Sequence, residues 1–466
     1  MQSIWKNKEI IILVVIAFVV RLYKIDSPVA DWHSFRQADT ASVTRMYLEN
    51  GVDLLVPRYH DVSSAQSGLF NPEGYRFVEF PLFNMVHYFA AGVNGLSVEL
   101  SGRLVSVFFS ILALIGVYVL GKRFSGKWAG VFSGIFLALS AYSIYFSRVI
   151  MPDYMAICLG VWAVVLYELH QDKMKWHLFI ISTILMALGV LVKPFIIFYL
   201  PLVLYIKVLK SGFRKAIKSP DVYLFLILTL MPFILWRVWI SNFPEGIPRW
   251  GWMFNYEGIR FRPSFWRWIF GERIGQLILG VWGLVPFGMG VKAYKNDRMR
   301  GLLFFIGVLV YVFVFAAANV RHDYYQLVLL PPIALIVGIG FAEMMKDKVA
   351  FLLGFFCMFL MFLLPAYTVR EFYKINHPEI IEAGTKVSEI TEKDALIIAP
   401  YNGDTAFLYQ TGRSGWPVVD SSFEDLINRG ADYYVSVNLH DEDTKYIVEN
   451  YEVIERTDRY IIAKLE

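Results

Sequence analysis

Apolar runs of roughly 15–22 residues, each long enough to cross a ~30 Å hydrocarbon layer as a helix, recur along most of the chain. They lie near 9–25, 101–120, 128–146, 154–170, 177–191, 195–209, 222–240, 273–292, 301–318, 324–343 and 349–367. Hydrocarbon offers no partner to a backbone N–H or C=O, so such a chain folds as helices that satisfy their own backbones. Composition agrees: 57% of residues are hydrophobic and 17% aromatic, against roughly 45–50% apolar in a typical soluble domain. The mean hydropathy is +0.49. The run Ile10–Val20 follows Lys6 and Lys8 and lacks a small-residue cleavage site, which reads as a retained anchor. A net charge of +4 gives no footing for nucleic acid. Cys158 and Cys357 both sit inside apolar runs, so neither a disulfide framework nor a zinc-type pair is expected.

Charge orients the spans, because short loops rich in Lys and Arg face the cytoplasm. The lysines fall at Lys6 and Lys8, Lys122–Lys127, Lys173–Lys175, Lys207–Lys218, Lys292–Arg300 and Lys346–Lys348. All six segments share one side if the stretch Phe80–Leu96, with Pro81, Asn84 and His87, does not cross. That stretch therefore reads as a re-entrant or interfacial helix, leaving about 11 spans, with 12 as the alternative count. The expected fold is an α-helical polytopic membrane protein of about 11 transmembrane helices plus interfacial helices, ending in a small C-terminal α/β domain. The division is 1–369 for the membrane part, with 26–98 as its first extracytoplasmic loop, and 370–466 for an extracytoplasmic tail. Within the tail ALIIA, YYVSV, YEVIE and YIIAK read as strands, and Gly403, Gly412 and Gly430 mark turns.

The first loop is out of character with the rest. Asp31, His33, Arg36, Asp39, Arg45 and Glu79 are acid/base and phosphate-binding types placed directly after a span. On a helix, Arg36 and Asp39 share a face at i, i+3. A carboxylate here has the chemistry to take a proton from a hydroxyl nucleophile, or with Glu79 to hold a divalent ion. A polar interfacial loop with an ion pair is the plainer reading. Further along, SRVIMPD carries Arg148 and Asp153. Lys193 sits before Pro194 between apolar runs. VRHDYYQ brings Arg321 and His322 to the start of a span. Asp153 has a simple alternative as a helix-start charge, Lys193 as a snorkelling lysine, and the tyrosines of VRHDYYQ as an interfacial belt. The Ser241–Glu272 loop mixes Trp250, Trp252, Tyr256, Trp266 and Trp268 with Arg249, Arg260, Arg262 and Arg267. It suits sugar and phosphate or a membrane surface equally. The outer loops before the tail keep arginines and only one lysine, Lys193. Topology explains the missing lysines, not the retained arginines, whose planar forks match phosphate oxygens.

Soluble-enzyme motifs are absent: no P-loop, HExxH, GxSxG or strand-to-helix GxGxxG. An activated substrate supplied from the membrane remains. A transporter or flippase would place paired charges near the bilayer midplane in repeated halves; here charges cluster at one face. A polysaccharide polymerase or oligosaccharide ligase stays open, although the WWDYG signature is absent. A binding role for the tail finds no ligand signature there. GDTAFLYQTGRSGW is the tail's most unusual stretch and reads as structural.

The features in order, an acidic first loop, EFPL at Glu79–Leu82, SRVIMPD, LVKPF around Lys193 and RHDYYQLVLLPPIAL, resemble the GT-C membrane glycosyltransferases. The resemblance is to the glycosyltransferase family 39 group of protein O-mannosyltransferases and lipid A aminoarabinose transferases, over about residues 9–367. It implies a cell-membrane enzyme that moves a sugar from a polyprenyl- or dolichyl-phosphate donor, with inversion, to a protein, lipid or glycan acceptor outside the cytoplasm. It implies a first-loop carboxylate as base, and Arg36, Arg45, Arg148, Lys193, Arg321 and His322 as donor-phosphate ligands. A divalent cation is a candidate cofactor, with Glu79 matching a glutamate linked to metal in the aminoarabinose branch and His33 as a companion ligand. Where many members carry Asp-Glu this chain has Arg36-Gln37. The base is therefore expected at Asp39, one helical turn away, with Asp31 second.

Overall fold

The computed structural model describes residues 8–293 and 299–465. Lys6 and residues 294–298 of the Lys292–Arg300 segment lie outside the described residues. Among the described residues six helical runs are long and apolar enough to cross a bilayer: Val98–Ser125, Asp153–Lys173, Pro194–Ser211, Pro220–Ile240, Asp323–Met344 and Lys348–Tyr373. Shorter apolar helices are Leu82–Val93, Lys127–Leu139, Trp176–Val192 and Met299–Val314. The chain is a multi-pass membrane protein. The helix Leu82–Asn94 has 13 residues, about 20 Å at ~1.5 Å per residue and short of a ~30 Å core.

Three of the expected spans are interrupted: 301–318 breaks at Phe315 between Met299–Val314 and Ala316–Arg321, and the other two show a visible reason. The run 128–146 breaks at Ser140 into Lys127–Leu139 and Ala141–Phe146. The carbonyls freed at the break need donors that hydrocarbon does not provide. Buried Arg21 supplies them, donating to Leu137 O at 2.9 Å and Ala138 O at 3.2 Å. In the run 273–292, a π-helix Arg267–Ile278 gives way to an α-helix at Leu284–Lys292. The join contains Gly280, where a Cβ would lie 2.5 Å from Met361 O. Helix packing uses small residues for close approach: at Gly338, on Leu330–Met344, a Cβ would meet Ser133 Oγ of Lys127–Leu139 at 2.2 Å.

The described chain divides into two compact units that are each discontinuous in sequence. One comprises 1–25, 103–236 and 250–372; the other comprises 26–102, 237–249 and 373–466. In the second, the helix Ser34–Asn50 packs on Leu82–Asn94 and on the short tail helix Ala406–Thr411. The tail strands are β1 (Leu396–Ile398), β2 (Ser414–Trp416), β3 (Ala431–Ser436), β4 (Glu452–Arg456) and β5 (Ile461–Lys464). They form one sheet in the order β2-β1-β3-β5-β4, parallel across β2-β1-β3 and antiparallel across β3-β5-β4. Four of the five lie where the apolar alternation places them. β2 is only three residues with a central glycine, so no pattern announces it.

The first loop extends this sheet. Gly415 N–H donates to His60 O, and Val62 N–H donates to Gly415 O, both at 2.9 Å. The bridge covers the β2 edge, which would otherwise offer unpaired backbone groups. Gly415 is held at φ 152°, and a Cβ there would sit 1.9 Å from Ile397 O. Gly415→Ala is therefore expected to lower stability by about 1–3 kcal/mol or more through strain and overpacking, read as a drop in the thermal midpoint of the detergent-solubilised protein. An unchanged midpoint would mean that β2 is not a close-packed strand.

Candidate active site

In the second unit the polar side chains of the first loop converge with those of the tail. The helix Ser34–Asn50 begins beside His33, whose backbone is left-handed at φ 57°, ψ 37°. Its first turns bury Arg36, Gln37, Asp39 and Thr40 although none is apolar. Burying these groups without partners would be costly, and each has one. Arg36 forms an ion pair with Glu79. Gln37 Nε2 donates to Asp31 Oδ1 at 2.7 Å. Asp39 is 2% exposed and paired through Oδ2 with Arg76. Its Oδ1 accepts from the hydroxyl of Thr405, a tail residue, at 2.6 Å. The Arg76 guanidinium also lies 4.8 Å over the Tyr59 ring, while its Nη1 is buried with no hydrogen-bond partner.

Arg45 faces the same tail segment. Its guanidinium stacks 4.0 Å over the Tyr409 ring and donates to Tyr409 O at 3.1 Å. The Tyr409 hydroxyl donates to Glu99 Oε1 at 2.5 Å. Arg45 thus binds protein where the sequence reading expected a phosphate ligand. His60 and Asp61 complete the join. His60 N–H donates to Ser42 Oγ at 2.9 Å, and His60 Nε2 lies 3.3 Å from Thr405 O. Asp61 accepts from the Tyr59 hydroxyl at 3.0 Å and from Ser63 N–H at 2.8 Å. Burial pushes His60 down to about 3 and Asp61 up to about 6. Beside Thr405, Asp404 is also pushed up to about 6, mainly by burial and further by the charge of Asp39, with His33 opposing.

In the first unit Lys193 stands at the break between Trp176–Val192 and Pro194–Tyr199. Its Nζ is 3.4 Å from Asp153 Oδ2, and both residues are buried. Arg148 is fully buried, donates to Lys24 O at 3.1 Å, and lies 5.2 Å over the Tyr145 ring. Exposed Arg321 is flanked by Trp252 at 5.5 Å and Tyr256 at 5.1 Å. His322 stacks on Tyr324 and meets Trp252 edge-on at 5.7 Å. Trp252 and Tyr256 therefore flank Arg321 and His322 in one cationic, aromatic cluster.

For a metal, the residues fit poorly. The Glu79 carboxylate is taken by Arg36, and His33 packs edge-on to Trp32 and Phe35. No group of three or more His, Cys, Asp or Glu placed to hold an ion occurs among the described residues. The sequence reading missed Arg76, Thr405 and Asp404. Arg76 lies inside the quoted GYRFVEF, and the other two inside GDTAFLYQTGRSGW.

Residues 81–239 match the profile of the dolichyl-phosphate-mannose-protein mannosyltransferase family. No curated protein sequence matches the chain. Among solved structures, ArnT from Cupriavidus metallidurans bound to undecaprenyl phosphate is similar at 13% identity and a TM-score of 0.65, over 98% of each chain. The Archaeoglobus fulgidus oligosaccharyltransferase in complex with zinc and sulfate is similar at 10% identity and a TM-score of 0.60, over 94% of this chain and 69% of that one. The fold is the GT-C fold of membrane glycosyltransferases, as the motif order led us to expect.

His60 and Asp61 give a pH signature. His60, depressed in the folded state, adds stability above its unfolded pKa of about 6.5 that is lost as pH falls toward 3. Asp61, raised, contributes in the opposite sense: its stability is full below about 3.8 and is lost as pH rises through 6. Between pH 4 and 6 the two trends oppose. Asp61→Asn removes the second and should make thermal stability fall more steeply on acidification than in the wild type. Parallel curves would refute the buried placement of Asp61. Arg76→Met, which strands the Asp39 charge, should cost about 3–5 kcal/mol by the same melting assay.

Proposed function

We propose that this GT-C protein is an inverting glycosyltransferase that takes its sugar from a polyprenyl- or dolichyl-phosphate donor on the extracytoplasmic side of the membrane. The observation that carries the reading is the likeness over 98% of both chains to ArnT, seen with undecaprenyl phosphate bound. The family profile over 81–239 points to the same donor chemistry.

The roles follow from the side chains. Donor phosphate is assigned to Lys193, Arg321 and His322, with Arg148 supporting the backbone at Lys24. Arg321, exposed between two aromatic rings, offers a planar fork to phosphate oxygens, and the rings suit a sugar face. Lys193 is a buried lysine whose Nζ lies 3.4 Å from the Asp153 carboxylate. Proton acceptance is assigned to the carboxylate cluster where the first loop meets the tail, centred on Asp39 with Asp31 behind Gln37. The acceptor oxygen attacks the anomeric carbon from the face opposite the phosphate. The carbon–phosphate-oxygen bond breaks, and its electron pair stays on the lipid phosphate. Fixed cations lower the barrier by stabilising that charge, each preorganised donor being worth about 2.7–4 kcal/mol. A protein, lipid or glycan hydroxyl would serve as acceptor. A divalent cation near Glu79 would supply Lewis-acid stabilisation of the phosphate. The Arg36 pair already gives that carboxylate a cation, and no step here runs through a metal.

Purified protein in lipid, supplied with radiolabelled polyprenyl-phosphate sugars, should release or transfer sugar. Lys193→Met and Arg321→Ala should each lower turnover at least 10²-fold. Absence of turnover with every donor would sink the reading. Transfer should survive EDTA. Loss of activity that added Mg²⁺ or Mn²⁺ restores would show instead that the Arg36–Glu79 pair opens to take an ion.

A further inference from the structure

Within that functional reading, on which this inference rests, we propose that Asp404 of the C-terminal tail takes the acceptor proton directly and that Asp39 is its positioning residue. The two first-loop aspartates are poorly disposed for the task. Asp39 is 2% exposed, with Oδ1 occupied by the Thr405 hydroxyl and Oδ2 by Arg76. A substrate hydroxyl reaches neither oxygen unless one of these bonds opens. Asp31 is 4% exposed and engaged by Gln37.

Asp404 differs in each respect. It precedes Thr405, so the Thr405–Asp39 bond anchors the loop that carries it. Its side chain is partly exposed, and the contact it makes, Ala406 N–H to Oδ1 at 2.8 Å, leaves Oδ2 for a substrate. Its loop turns through two left-handed residues, Asn402 at φ 54° and Gly403 at φ 77°, an aim that costs backbone strain to hold. A second, independent feature points to a ligand in the same cluster. Arg76 is 8% exposed and holds Asp39 with one nitrogen, while its buried Nη1 has no hydrogen-bond partner. A buried guanidinium N–H is normally satisfied, and the acceptor's oxygen supplies what it lacks.

The charged and titratable groups facing Asp404 are Asp39 and His33 from the first loop and Tyr401 from its own loop. Burial and Asp39 raise its affinity for a proton, and His33 lowers it. A carboxylate tuned toward neutrality is a stronger base than an ordinary one, while still ionised at pH 7. In the step, the acceptor O–H proton passes to Asp404 Oδ2 as the acceptor oxygen bonds to the anomeric carbon. The bond to phosphate breaks with its pair on phosphate, and Asp404 then returns the proton to solvent.

The test measures kcat, donor KM and the pH profile of transfer in wild type, Asp404→Asn, Asp404→Glu and Asp39→Asn, with polyprenyl-phosphate sugars. Asp404→Asn should lower kcat about 10²–10⁴-fold at nearly unchanged donor KM and unchanged melting temperature. Asp404→Glu should retain partial activity with a displaced acidic limb, which a purely structural role would not move. Asp39→Asn should lower activity and keep an acidic limb in what remains, displaced to lower pH because the Asp39 charge that raises Asp404 is gone. Transfer by wild type with Asp404→Asn within threefold of it would overturn the inference and leave the functional reading intact. An acidic limb lost in Asp39→Asn but kept in Asp404→Asn would do the same and return the base to Asp39. No transfer by wild type with any donor would overturn both.

Discussion

One buried carboxylate organises the second unit. Asp39 sits on a helix of the first loop, its countercharge Arg76 lies later in that loop, and its hydroxyl donor Thr405 comes from the tail. A charge removed from water must be compensated locally, so three distant stretches of chain have to meet at one point. The neighbouring contacts repeat the requirement: Arg45 on Tyr409, His60 on Ser42 and Thr405, and Ser64 on Asp420. The polar content of the first loop, out of place beside apolar spans, is thus consumed largely by its union with the tail. Some of it is left for substrate.

The first unit solves a different problem with the same economy. Helices that break inside an apolar environment free carbonyls, and Arg21 is spent on closing one such break. Arg148 serves the backbone at Lys24. Arg321, by contrast, is held by ring faces, which orient a guanidinium without using its donors. Of the three arginines, Arg321 keeps its hydrogen-bonding face toward whatever binds.

Much of the architecture is legible in the sequence, because its signals are strong and local. Apolar runs mark most helices, and the strand alternation marks four of the five tail strands. The interruptions at Ser140 and Gly280 are not legible. They depend on which carbonyls find Arg21 and on how closely Met361 approaches, both of which are tertiary facts. The site is legible by type and not by pairing. Asp31, Arg36, Asp39 and Glu79 stand out as chemistry-bearing residues, but Arg36 pairs with Glu79 and Asp39 with Arg76. Nothing in their spacing foretells the partner choice. Thr405 and Asp404 escape notice because a Thr and an Asp in a glycine-bounded loop look like turn chemistry.

The division of one compact unit between residues 26–102 and 373–466 sets a constraint on how the protein is made. The first of these segments leaves the ribosome early, and Thr405, Tyr409 and Gly415, the tail partners of Asp39, Arg45 and His60–Val62, arrive only with the last stretch of nascent chain. At ~5–20 residues per second the interval is on the order of tens of seconds. Throughout it the half-unit lacks the Thr405 hydroxyl on Asp39, the Tyr409 ring under Arg45 and the β2 edge that His60–Val62 joins. The second unit is therefore incomplete until the C-terminus is delivered. A stop codon before Thr405 would remove the tail partners of a loop hundreds of residues upstream.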